Sequence, residues 1–161
     1  MTLDELNYLR QAQAIQELLP VCGSRRWCER MEKARPFHSL QSLQLAADRF
    51  WTEMGPEDWL EAFGHHPRIG DLDSLRAKFA TASDWANQEQ AGAEHASEEI
   101  VRALADGNAA YEARFGHIFL VCATGKTAEE MLGLLRERMA NEPDVEKKIA
   151  AAEQGKITRI R

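Results

Sequence analysis

The chain has 161 residues, 44% hydrophobic and 29% charged, with 26 acidic against 20 basic side chains and a formal net charge of −6. That length and balance fit one folded domain with a core of its own and exclude a disordered chain. The acidic surplus argues against a nucleic-acid partner, and no run approaches the ~20 apolar residues needed to cross a membrane.

The opening "MTLDELNYLRQ" is acidic and polar, unlike a secretory or transit peptide. Thr2 and Glu5 have the spacing of a capping box for a first short helix. "AQAIQELL" predicts a second, stopped by Pro20 and Gly23. Ser24 opens a third, through about Ala34, which Pro36 ends. This most basic stretch, "SRRWCERMEKAR" (24–35), alternates with acids and reads as a solvated helix face. Cys22 and Cys28 lack the spacing of a zinc or redox motif. With Cys122 they make an odd count, which suits a reducing cytoplasm better than a disulfide framework.

Ser39 opens a longer helix in which Leu40, Leu43, Ala47, Phe50 and Met54 recur at three- and four-residue steps, one apolar face. "GPEDWLEAFG" has proline early in a helix and glycine at its end. "HHPRIG" follows. Proline biases its predecessor out of the α region, so His66 belongs on a helix-terminating turn, its backbone fixed and its imidazole free to project into a cleft. Histidine gives or takes a proton near neutral pH. The plainer alternative is a turn histidine at a helix C-cap. A metal reading would draw on His65, His66, Asp71 and Asp73. Adjacent histidines point in different directions, however, and no HExxH spacing is present.

"SDWANQEQAGAEHA" predicts a helix with a break near Gly92. Trp85 and Glu89, four apart, share one face. A carboxylate beside an indole is partly desolvated, which raises its pKa and suits acid–base work; a solvent-facing acidic helix is the competing reading. From about Ser97 a stripe of Ile100, Leu104, Tyr111 and Phe115 predicts a helix that turns Asn108 inward, where it needs a partner. "GHIFLVCATG" (116–125) is the only strand-like segment and, with no second strand run to pair with, reads as an extended buried connection. Its Cys122 reads as a small core residue. Thr127 and Glu130 form a second capping box, before a helix with the stripe Met131, Leu132, Leu135 and Met139 that ends at Asn141–Pro143. The last helix carries Val145, Ile149, Ala152, Ile157 and Ile160. That phase puts Glu153 inward, in need of a salt bridge, and leans Arg161 to the same side while Arg159 points away. An inward arginine in an acidic protein suits a carboxylate or imide ligand. The fold class expected is all-α: a single-domain bundle of about eight helices with one extended buried connection, residues 1–161.

"FGHHPRIG", "W…EQAG", "NAAYEARFGHIFLVCATGKTAEEMLGLLRERMAN" and "E..KI..IR" occur in that order. Together, over roughly residues 5–161, they resemble the 2-oxo-4-hydroxy-4-carboxy-5-ureidoimidazoline (OHCU) decarboxylases of urate breakdown. The resemblance implies an all-helical, cofactor-free, often homodimeric enzyme that converts OHCU to (S)-allantoin, with no metal, nucleic acid or membrane involved. It makes His66 the catalytic histidine, with Pro67 lining the pocket beside it, and Glu89 the second acid–base residue. It assigns substrate contacts to Ala86, Asn87, Gln88 and Gln90. Phe119, Leu120, Val121, Cys122 and Ala123 would contact substrate largely through backbone groups, and Arg161 would be the C-terminal substrate-binding arginine. Two departures stand out. The family usually has serine three residues before the glutamate, where this chain has Ala86. Its members often continue a few residues beyond the arginine, whereas this sequence stops there, leaving a last turn open to fraying. The span holds no peroxisomal C-terminal tripeptide, and the cytoplasm is the expected compartment. The rival readings are another cofactor-free lyase or hydrolase acting on a ureido or imide compound, a helical interaction module, and a His/Asp metalloenzyme.

Overall fold

The computed structural model describes residues 1–66 and 91–161, with side chains in the second span from residue 98 onward. The described residues form eight helices and no strand, as an all-α pattern requires. They fall into two compact units, Met1–His66 with Lys148–Arg161, and Pro67–Lys147.

The first unit holds α1 (Leu3–Tyr8), α2 (Gln11–Cys22), α3 (Arg25–Lys33), α4 (Leu40–Thr52) and α5 (Pro56–Gly64). Local chemistry sets most of its helix starts. Thr2 and Glu5 close the expected capping box, and Ser24 Oγ accepts from the Trp27 amide. Ser39 and Ser42 cap α4 reciprocally. Pro20 does not stop α2, which runs on to Cys22 and ends at Gly23 with φ 87°. In the last turn a proline forfeits only its own amide bond, and the left-handed glycine provides the actual stop. On α4 the expected apolar face is rotated only in part. Met54 is buried and Leu43, Ala47 and Phe50 are half-buried as expected, but Leu40 is 63% exposed and Trp51, off that stripe, is buried. Two indoles set that rotation: Trp51 Nε1 donates to the Ala151 carbonyl at 2.7 Å, and Trp27 Nε1 donates to that of Ala47 at 3.0 Å.

The second unit contains α6 (Ala91–Phe115) and α7 (Ala128–Arg138). Helix α6 includes Gly92 in its first turn; the residues before Ala91, on the other side of the expected break, lie outside the described ones. Val101, Leu104 and Tyr111 pack with Phe119, Val121, Met131, Leu132 and Leu135. Asn108 finds its partner within its own helix, donating to the Leu104 carbonyl at 2.9 Å. The 116–125 segment is the extended buried connection anticipated, with Phe119, Leu120, Val121 and Cys122 all buried. Its ends turn at Gly116 and Gly125, both at positive φ. Thr127 and Glu130 cap α7 as expected.

Helix α8 (Pro143–Ile160) contributes its first residues to the second unit and the remainder to the first. Its buried residues are Glu146, Ala150, Ala151, Gln154 and Thr158, while Val145 and Ile160 are 50% and 60% exposed. The apolar stripe therefore misplaces the inward face: it follows polar residues, each held by a partner from elsewhere in the chain.

Candidate active site

The Phe63 carbonyl accepts the His66 amide at 3.2 Å just past the end of α5, with His65 as C-cap. This is the helix-terminating turn that His66-Pro67 predicts. The imidazole is half-buried, and its Nε2 lies 2.5 Å from Gln154 Oε1. Gln154 is fully buried and its Nε2 donates to Thr158 Oγ1 at 3.1 Å, one turn further along α8. Burial is the largest influence on the imidazole and holds its pKa below the ordinary 6.5. The Gln154 hydrogen bond opposes that, and the positive charges of Arg161 and His65 add to the lowering. Histidine is thus poised as a neutral base near pH 7.

Arg161 is exposed, and its Nη1 donates to the Pro20 carbonyl at 2.8 Å. The Arg161 guanidinium is therefore tied to the C-terminal turn of α2, where a cation is favoured by the helix dipole. Arg159 pairs with Asp48 on α4. Glu153, its side chain only 12% exposed, pairs with Lys156 at 2.5 Å, the salt bridge its inward phase calls for. Beside this group Cys22 is buried, its thiol pushed up to about 11 by burial and held by hydrogen bonds from the Ser24 backbone and the Thr158 side chain. Cys28, also buried, is pushed up to about 12 for the same reason. Such thiols are neutral and poor nucleophiles.

In the second unit, the Phe119–Ala123 segment is pinned by a buried network. Glu146 is fully buried and accepts from Tyr111 Oη, from Arg138 Nε at 2.8 Å and from Asn141 Nδ2 at 2.8 Å. Arg138 Nη1 reaches on to the Leu120 carbonyl at 2.8 Å, with its guanidinium 4.7 Å from the centre of the Phe119 ring. Lys126 Nζ donates to the Cys122 carbonyl at 2.8 Å. Burial, then the bond to Glu146, raises the Tyr111 hydroxyl well above its usual range, so it remains a donor.

Of the residues singled out in the sequence, His66 and Arg161 share the first unit and influence one another electrostatically. Phe119, Leu120, Val121, Cys122 and Ala123 belong to the second. Pro67, Ala86, Asn87, Gln88, Glu89 and Gln90 lie outside the described residues. Sequence reasoning missed Gln154, Thr158 and Glu146. The available signal was one face of α8 at four-residue steps, on which Glu146, Gln154 and Thr158 are polar and Ala150 small. Among the described residues no group of three His, Cys, Asp or Glu side chains could hold a metal ion, and no helix is long and apolar enough to cross a membrane.

The model of one protein family, OHCU decarboxylase, matches residues 7–161. The Arabidopsis thaliana uric acid degradation bifunctional protein TTL is 38% identical over 87% of this chain, which spans 43% of that protein's length. The Amia calva 2-oxo-4-hydroxy-4-carboxy-5-ureidoimidazoline decarboxylase is 30% identical over 90% of this chain and 79% of its own. Among solved structures, that of an OHCU decarboxylase in the presence of (S)-allantoin superposes with a TM-score of 0.72 at 36% identity, covering 90% of this chain and 93% of the other. An (S)-allantoin synthase, 18% identical, matches with a TM-score of 0.64 over 98% of this chain and 51% of its own, a likeness of fold. With the family's pattern running from Asn7 to Arg161 and its helical fold reproduced, this chain belongs to the OHCU decarboxylase family.

Proposed function

We propose that this protein decarboxylates OHCU to (S)-allantoin in urate breakdown, as a single functional domain, without a cofactor, as a cytoplasmic homodimer. The observation that carries the reading is a half-buried imidazole, held at one nitrogen by Gln154 and near the guanidinium of Arg161. It occurs in a chain 36% identical to an OHCU decarboxylase crystallised with (S)-allantoin.

The chemistry makes modest demands. When the carboxylate leaves, the neighbouring ring C=N of OHCU accepts the electron pair. The protein must hold the heterocycle, stabilise the charge spreading over its nitrogen and carbonyls, and deliver a proton to one face. His66 engages the hydroxyl and carboxylate region and triggers loss of CO2. His66 or Glu89 then protonates the ureido-bearing carbon. Arg161, Gln90 and the backbone of Phe119–Ala123 bind the amide and carbonyl edges, with Pro67 beside the imidazole. Asn87, Gln88 or a water supplies the hydrogen bond that Ala86 cannot.

The test is a turnover assay on OHCU freshly generated from urate, with circular dichroism reading the chirality of allantoin. The wild type should produce the (S) enantiomer well above the spontaneous rate. General acid–base groups contribute ~10²–10⁴-fold, so His66→Ala and Glu89→Gln should each slow turnover by at least that order while remaining folded. Near-native turnover in either variant removes the role assigned to that residue. A wild type that makes no (S)-allantoin overturns the substrate, leaving another lyase or hydrolase for a ureido or imide compound.

A further inference from the structure

Behind His66 lies a run of hydrogen bonds through Gln154 to Thr158. Cys22 is buried and neutral, hydrogen-bonded to the Ser24 backbone and the Thr158 side chain. Thr158 Oγ1 accepts from Gln154 Nε2 at 3.1 Å. That donation fixes which end of the Gln154 amide is which, so Oε1 faces His66 Nε2 at 2.5 Å. An amide oxygen only accepts. His66 Nε2 must therefore carry the hydrogen, and the neutral ring keeps its lone pair on Nδ1. Turning the amide over would require two further changes, a bare Nε2 with the hydrogen on Nδ1 and a Thr158 hydroxyl that donates to the amide oxygen where it now accepts from Nε2.

We infer that Gln154 is a positioning residue that locks His66 in the Nε2–H tautomer and so reserves Nδ1 as the atom that exchanges a proton with substrate. The inference rests on His66 being the acid–base group proposed above. It goes further in naming the atom and the residue that selects it. Thr158 and Cys22 serve as the anchor of that selection: they orient the amide and take no part in the chemistry.

The experiment is nitrogen-15 NMR of the full chain labelled at histidine, with His66→Ala used to identify the His66 signals. Above its titration midpoint, wild-type His66 should show a protonated Nε2 and a bare Nδ1. Gln154→Met keeps the bulk and removes the acceptor. It should mix the two tautomers and lower kcat by ~10–100-fold, the usual cost of losing a partner that orients a working histidine, with KM little changed. Gln154→Glu keeps an acceptor facing Nε2. It should preserve the tautomer and move the acid limb of the pH–rate profile upward, against the opposing charges of Arg161 and His65 that also face the ring. A wild-type spectrum with hydrogen on Nδ1 overturns the inference, as does a Gln154→Met protein with unaltered tautomer and turnover. If Gln154→Met fails to fold, the wild-type and Gln154→Glu spectra still decide. If the tautomer behaves as stated and the wild type makes no (S)-allantoin, the lock stands and the functional reading falls.

Discussion

His66 binds a proton less readily than a free histidine does, because burial outweighs the Gln154 hydrogen bond. Between its folded value and 6.5 the unfolded chain holds more protons than the folded one, so stability rises with pH through that window and is lost as pH falls through the folded value. His117 shifts the same way, again mainly through burial. The acid limb of kcat/KM should accordingly lie below 6.5, and urea unfolding should show lower stability below the window than above it. His66→Ala should reduce that difference. A limb above 6.5 would mean that another group titrates. His66 itself was legible in the sequence, since His-Pro at the end of a helical pattern marks a fixed turn. Its partner was not: Gln154 lies 88 residues away, and no local pattern links an imidazole to a distant amide.

At the scale of elements, short-range chemistry explains most of what could be read in advance. Thr2 with Glu5, Ser24, and Thr127 with Glu130 bond within one turn, and each appears as expected. Where distant partners decide, the reading failed: the inward face of α8 is set by Trp51, His66, Tyr111 and Arg138, not by its own isoleucines. Gly23 shows such a contact between elements. It sits at φ 87°, and a Cβ there would meet His65 Cβ at 2.8 Å and the Ala62 carbonyl oxygen at 3.0 Å. Gly23→Ala should cost at least the ~1–2 kcal/mol of a left-handed non-glycine residue. The clash falls on the turn that carries His66, so turnover should drop together with the melting temperature. Differential scanning calorimetry beside the OHCU assay would show it, and an unchanged melting temperature would mean the α2–α3 junction yields freely.

At the scale of the molecule, the largest buried electrostatic commitment among the described residues is Glu146 with Arg138, Tyr111 and Asn141. Removing one partner of such a cluster leaves a charge stranded away from water. Glu146→Ala should therefore cost ~3–5 kcal/mol, measurable as a fall in the urea midpoint, and it should loosen the Leu120 carbonyl that Arg138 holds. A loss within a few tenths of a kcal/mol would show that water reaches Arg138 once the carboxylate is gone. The division of the chain adds a temporal consequence. The second unit is one continuous stretch, whereas the first is assembled from both ends of the chain, and the indole of Trp51 finds its carbonyl acceptor 100 residues downstream. A ribosome emitting this polypeptide releases everything the second unit needs while the first still lacks its closing helix. His66 thus waits for 88 further residues to be synthesised before acquiring the amide that orients it.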